Sequence, residues 1–335
     1  MGLTVFKNIG ELVTLAGAAR KQGRSVLEED LKIIKKAALV VQNGKIIWLD
    51  EEKKLPKGLL TKKAKHIDLQ KQTVLPGFVE SHTHLTFAGH RAHEFELRNQ
   101  GISYQEIASR GGGILSTLKQ TRAASKNDLV KLSQERVQKF VRQGVTTLEI
   151  KSGYALNLKD EIKVLHAIRS LKQPRIIPTF LGAHALPPEF KTETEYLDFL
   201  TSQVLPLIKK NKLAQRIDIF IEKGFFSEMA ARGYLQKAKD LGFDLVVHAD
   251  QLSLCGGALL AVAMKARSAD HLIQIKEPEI RALAHSDVTA VLLPTADLYM
   301  RCAYPPARKL IEAGARVALA TDFNPGSAPS QELSL

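Results

Sequence analysis

Short apolar runs alternate with amphipathic helical stretches along most of this chain. The apolar runs begin at Val74 (VLPGFV), Val145 (VTTLEI), Arg175 (RIIPTFL), Ile217 (IDIFIE), Asp244 (DLVVHA), Ser268 (SADHL), Val288 (VTAVLL) and Arg316 (RVALAT). Each is the length of a strand and is apolar enough to be buried on both faces. Between them lie segments such as DLVKLSQERVQKFVRQG, from Asp128, whose apolar residues recur at helical spacing and which closes on Gly144. Parallel pairing with right-handed crossovers is the economical way to join such units, and eight of them close into a (β/α)8 barrel. SADHL is short and polar and is the weakest of the eight.

The first part of the chain has a different pattern. ALVVQNGKIIWLD, Ala38 to Asp50, sets two apolar runs around Asn43-Gly44, a strong hairpin signal because both residues tolerate positive φ. Trp48 is expected in the core. Residues 1–72 thus read as a small β-rich, sandwich-like domain flanking a barrel over residues 73–335. Only 13 residues follow Asp322, too few for an eighth barrel helix and its loop. The closing helix is therefore expected to be missing.

Composition narrows the class. The chain is 44% hydrophobic, enough for a substantial core, and no apolar run is long enough to span a membrane. The start lacks a basic region followed by an apolar core, so no secretory signal is read. Two cysteines, Cys255 and Cys302, are too few for a disulfide framework, and a reducing cytoplasm is the simplest location. The net charge of +13 invites a nucleic-acid reading, but the lysines are scattered and the run Lys53 to Lys65 has no interleaved aromatics. A solvated basic surface that draws in an anionic small molecule is the better account. The expected partners are a small anionic substrate and at most a second copy of the chain, not nucleic acid or membrane.

Candidate chemistry then falls at one end of the barrel. His82 and His84 follow the first strand in ESHTHL, and on extended backbone both imidazoles point to one side. His184 follows strand three, His248 ends strand five, His271 ends strand six and Asp322 ends strand eight. Five of the ten histidines thus meet the C-terminal strand ends, where barrel enzymes place their chemistry. His82, His84, His248 and Asp322 supply three nitrogens and one oxygen for a single divalent ion, zinc or iron. Such an ion makes hydroxide available near neutral pH. Asp322 would take a proton from the attacking water, and His271 would hydrogen-bond the developing oxyanion. Lys223, one place after Glu222, leaves a two-metal scheme with a bridging lysine carbamate open, though its surroundings do not match. Lys151, just past strand two, reads as a pocket-rim or structural cation. Gly111-Gly112-Gly113 reads as a lid hinge or, less well, an anion cradle.

This set of residues resembles the amidohydrolase superfamily. The run from Pro76 to Ser125, with TTLEIKSGYAL, PTFLGAHALPPE, HADQLS and DFNPGSAP, narrows the resemblance to the imidazolonepropionase family of histidine degradation. The resemblance implies hydrolysis of the cyclic amide of 4-imidazolone-5-propanoate, a small anionic heterocyclic substrate, to N-formimidoyl-L-glutamate, with one zinc or iron ion. It also implies a chain that runs on to finish the barrel and return strands to the first domain, and these strands are expected to be missing here. It assigns Arg91 to substrate, where a planar guanidinium suits the propionate. It places Tyr104, Tyr154 and His184 around the ring, and Asn324, Gly326 and Ser327 against substrate or product. Gln251 stands where some members carry a glutamate assigned to proton transfer. An amide cannot be a general base near neutral pH, so Gln251 would only orient substrate or water, and proton transfer falls to Asp322 and His271. The competing readings are a cyclic-amidine deaminase with the same ligands, and a catalytically silent barrel left open by its early end.

Overall fold

A computed structural model describes residues 2–333 except 62, without the side chains of 104, 105 and 108. The chain divides into two units, Met1–Gly77 and Phe78–Leu335.

The first unit is built on one five-stranded sheet. Its strands are β1 (Leu3–Val13), β2 (Ile33–Gln42), β3 (Lys45–Glu51), β4 (Lys65–Asp68) and β5 (Thr73–Val74). The β2–β3 hairpin turns at Asn43-Gly44, where φ is 50° and 76°, as the sequence requires. Val5 pairs with Val40, and Phe6 with Leu39. Successive residues face opposite sides, so the first pair joins a small core with Ala64 and the second a core with Ile9 and Ala37. Trp48 is half-buried against the first of these. Val74 does not open the barrel. It pairs with Leu12 of β1, and Pro76-Gly77 separates it from the next strand.

The second unit carries all eight expected barrel strands in chain order: β6 (Phe78–Glu80), β7 (Val145–Lys151), β8 (Arg175–Ala183), β9 (Arg216–Ile221), β10 (Asp244–Ala249), β11 (Ser268–His271), β12 (Thr289–Leu292) and β13 (Arg316–Leu319). Every neighbouring pair is parallel. The weak sixth run is real: β11 pairs with both β10 and β12. The helix Lys126–Arg142 has Ser125 and Asp128 as a capping box and buries Leu129, Ser133, Val137 and Phe140, one face at helical spacing.

The barrel is nearly closed. Strands β13 and β6 stand at the two ends of the strand order, yet a bridge between Thr83 and Phe323 joins the loops that follow them. His84 N–H donates to the Phe323 carbonyl (2.9 Å) and Asp322 N–H to the His82 carbonyl (3.1 Å). These bonds fasten the first metal-ligand candidates to the last. Burial on both faces fails at this seam. Phe78, Val79 and Leu319 stay exposed and border a groove of about 460 Å³, because no described segment covers that side of the two short strands. No helix among the described residues is long and apolar enough to cross a membrane.

Candidate active site

Four side chains converge at the C-terminal mouth of the barrel. His82 Nε2 and His84 Nε2 are 3.3 Å apart, as are His84 Nε2 and His248 Nε2. Asp322 Oδ1 lies 3.3 Å from both His82 Nε2 and His84 Nε2. Two ligand atoms each about 2.0 Å from a tetrahedral ion stand about 3.3 Å apart, so these four pairs have the spacing of neighbouring ligands; His82, His84 and Asp322 form one candidate ion group and His82, His248 and His271 another. The residues are between 0% and 3% exposed, and Asp322 Oδ1 has no hydrogen-bond partner among the described residues. Buried lone pairs that face one another with no proton between them fit a cation at their centre. This is the donor-set test for a divalent ion, and the residues pass it.

The backbone helps aim these groups. His271 and Asp322 both sit in the left-handed region, with φ of 77° and 55°. Such angles are rare outside glycine and mark sites where surrounding structure holds the chain in a costly conformation. His271 lies beside the histidine cluster, 5.2 Å from the His248 ring and 5.5 Å from the His82 ring between centroids.

Beneath the donors lies a layer of buried charge. The Asp270 carboxylate is 2.6 Å from His82 Nδ1, and Asp218 is 3.0 Å from His248 Nδ1. A carboxylate acceptor fixes the proton on Nδ1 and turns the Nε2 lone pair to the centre. Lys151 is fully buried between these carboxylates, so it is not at the pocket rim. Burial alone would lower its ammonium. The charges of Asp218 and Glu149 outweigh that and hold it above the ordinary lysine value. Burial also pushes His82, His84 and His184 well below the usual histidine range and His271 down to about 3, so all four imidazoles are neutral at physiological pH. Burial pushes the Asp322 carboxyl up.

A cavity of about 30 Å³ opens beside this centre, enough for one or two waters. His84, His248, His271 and Asp322 form its floor, and Tyr154, His184 and Gln251 stand around it. His184 stacks on His84 with centroids 5.0 Å apart, and its Nδ1 lies 3.0 Å from the Gly153 carbonyl. Arg91, Asn324 and Ser327 line the far side. Gly326 lies under the Arg91 guanidinium: a Cβ there would sit 1.4 Å from Arg91 Nη2, so only glycine leaves the arginine in place. Asn324 Oδ1 accepts from the N–H groups of Gly326 and Ser327, fixing that turn. The Tyr104 side chain lies outside the described residues.

Two sequence readings are corrected. Lys223 is exposed and borders a separate groove with Glu193 and Ser227, so it cannot bridge metals at the barrel mouth. The glycine triplet does not form an open anion cradle. Gly113 N–H donates to the buried Glu94 carboxylate (2.8 Å), whose other oxygen lies 3.5 Å from Arg91 Nε. The chain's own carboxylate takes that place and braces Arg91.

Comparison with known proteins decides the family. No family model matches the sequence. The imidazolonepropionase of Bdellovibrio bacteriovorus is 61% identical over 336 residues, spanning 100% of this chain and 79% of that protein. The imidazolonepropionase of Symbiobacterium thermophilum is 44% identical over 328 residues, 96% of this chain and 76% of that protein. The chain belongs to the imidazolonepropionase family. It is accordingly a hydrolase acting on carbon–nitrogen bonds. Solved structures with the same fold are a guanine deaminase from C. acetobutylicum with bound guanine (TM-score 0.65, 16% identity, 98% of this chain and 76% of that one) and a zinc-bound adenosine deaminase from Xanthomonas campestris (TM-score 0.62, 14% identity, 97% and 70%). This imidazolonepropionase-family chain therefore shares its fold with these two deaminases, and it carries histidine clusters that could hold an ion.

One buried group in this imidazolonepropionase-family barrel answers to no resemblance. Asp297, in the short helix Pro294–Met300, is 1% exposed, and neither carboxyl oxygen has a hydrogen-bond partner among the described residues. Burial, with the Asp322 charge adding to it, pushes its carboxyl up to about 7. The unfolded chain releases that proton near pH 4 and the folded chain only near 7, so stability is lost as pH rises through this window and stays lost above it. Asp297→Asn is therefore expected to stabilise the protein at pH 8, by at most ~4 kcal/mol, and to change little at pH 4. Thermal melts at the two pH values, at matched metal content, check this; an equal shift at both refutes it.

Proposed function

We propose that this chain opens 4-imidazolone-5-propanoate to N-formimidoyl-L-glutamate around one divalent ion, zinc or iron, held by His82, His84, His248 and Asp322. The observation that carries the reading is that His82 Nε2, His248 Nε2 and Asp322 Oδ1 each lie 3.3 Å from His84 Nε2. The ion, when bound, polarises the ring carbonyl and makes hydroxide available from water near neutral pH.

The chain's residues supply the rest. Water adds to the ring carbonyl carbon, the C–N bond of the cyclic amide breaks, and the carbonyl carbon becomes the new carboxylate. Asp322 takes the proton lost by the attacking water and returns it to the leaving ring nitrogen, a shuttle suited to a carboxyl raised by burial. Neutral His271 donates an N–H to the oxyanion without carrying a charge of its own. Arg91, braced by Glu94, takes the propionate in two-pronged fashion. Tyr154 and His184 offer flat faces to the heterocycle. Asn324, Gly326 and Ser327 hold substrate or product from the turn after β13. Gln251 hydrogen-bonds but exchanges no proton.

Elemental analysis of purified protein, followed by turnover with and without chelator, tests the reading. About one ion per chain is expected. The product should be formimidoylglutamate without ammonia, and activity should be lost on chelation and restored by zinc or iron. Release of ammonia would mean a ring deaminase, and a folded, metal-loaded but inactive protein would mean a silent barrel.

A further inference from the structure

The metal site proposed above rests on a single buried cation. We propose that Lys151 is the positioning residue of the centre, one ammonium that holds in register the three strands, β9, β11 and β7, whose carboxylates position its histidine ligands. This inference depends on that metal reading and adds to it a residue that touches neither ion nor substrate.

Three sets of contacts carry it. Lys151 Nζ lies 2.8 Å from Asp218 Oδ2, and Asp218 in turn engages His248 Nδ1 at 3.0 Å. The same Nζ lies 3.8 Å from Asp270 Oδ2, which engages His82 Nδ1 at 2.6 Å. Toward the third element it lies 2.9 Å from Glu149 Oε1. The other Glu149 oxygen accepts from the Thr83 N–H (3.3 Å), the Glu149 carbonyl accepts from the Thr83 hydroxyl (2.7 Å), and Lys151 N–H donates to the Thr83 carbonyl (2.9 Å). Thr83 is the residue between His82 and His84. One side chain at the end of β7 therefore fixes the ring of His82, the ring of His248 and the backbone from which His82 and His84 project.

The chemistry requires such a residue. Asp218, Asp270 and Glu149 are each at most 2% exposed, and carboxylates packed together without a counter-charge repel. With the ammonium among them they hold the orientation that keeps Nδ1 protonated and Nε2 directed at the ion. Lys151 does not line the cavity, so it has no direct part in binding the substrate.

The test uses Lys151→Met, nearly isosteric and uncharged, in the full chain. Zinc affinity is read by competition with a chromogenic chelator, and the ligand field by visible absorption of the cobalt-substituted protein. Expected results are zinc binding about 10- to 100-fold weaker, an altered cobalt spectrum, a lower kcat and a KM within about threefold of wild type. Wild-type zinc affinity and cobalt spectrum in Lys151→Met would overturn the proposal, whereas a wild-type chain that holds no metal would instead overturn the metal reading. Should Lys151→Met not fold, Lys151→Met with Asp270→Asn decides, because the pair removes one charge of each sign. Zinc affinity within about tenfold of wild type in this double variant supports the proposal. A folded double variant that has lost zinc binding, or one that also fails to fold, refutes it, since the lysine would then be needed for packing and not for balancing the carboxylates.

Discussion

Alanine at His248 is expected to leave the purified protein with far less than one divalent ion per chain and to lower kcat/KM by more than ~10³-fold. The substitution removes one of three donors that each lie 3.3 Å from His84 Nε2. His82, His84 and Asp322 alone cannot complete a tetrahedron, and His271, 5.5 Å from the His82 ring between centroids, has its backbone committed at a φ of 77°. The loss reaches below the site as well. Asp218 would keep its pairing with Lys151 but lose the imidazole it orients. Without the ion the nucleophile is plain water, whose pKa is about 15.7, against about 7 at a catalytic zinc. Elemental analysis and steady-state kinetics on the same preparation check the expectation, with a thermal melt to establish that the variant is folded. A folded variant with wild-type metal content and turnover would remove His248 from the centre.

How much of this was legible from the chain depends on the range of the interactions. The eight strands were readable because each is a local run of apolar residues, and the meeting of His82, His84, His248 and Asp322 because barrel geometry sends every strand end to one face. His82 and His84 are visible as a pair, and Asp322 follows the last strand. The error at Val74 is of the same local kind. The run VLPGFV looks continuous, but Pro76-Gly77 splits it, and its two halves join different sheets. The charges beneath the site were not legible. Lys151, Asp218 and Asp270 each lie in a short strand, and nothing nearby in sequence says that they meet. His82 and Asp270 are 188 residues apart. The available signal was a charged residue inside an otherwise apolar strand, as in TTLEIKS and IDIFIE, which solvent exposure explains equally well until the strands are placed side by side. The role of Glu94 was hidden similarly, since its partners are the glycine triplet and Arg91 in a loop without periodicity.

Asparagine at Asp322 is expected to separate proton transfer from metal binding. The amide is nearly isosteric, so the turn should persist: Asn324 Nδ2 donates to the backbone carbonyl of residue 322, and the 322 N–H donates to the His82 carbonyl. The carboxylate charge and its capacity to carry a proton are lost. Positioned acid–base groups contribute ~10²- to 10⁴-fold, so kcat should fall within that range while KM changes little, because Arg91 and the ring-facing side chains are untouched. Metal affinity should weaken without vanishing, since three imidazoles remain and the amide oxygen can still face the ion. The decisive measurement is kcat at saturating added zinc, where weaker affinity no longer limits the rate. If saturation restores wild-type turnover, Asp322 serves only as a ligand, and proton transfer must be reassigned to His271, which also lines the cavity. If the deficit persists with the site filled, the carboxylate moves the proton, which Gln251 cannot do for it.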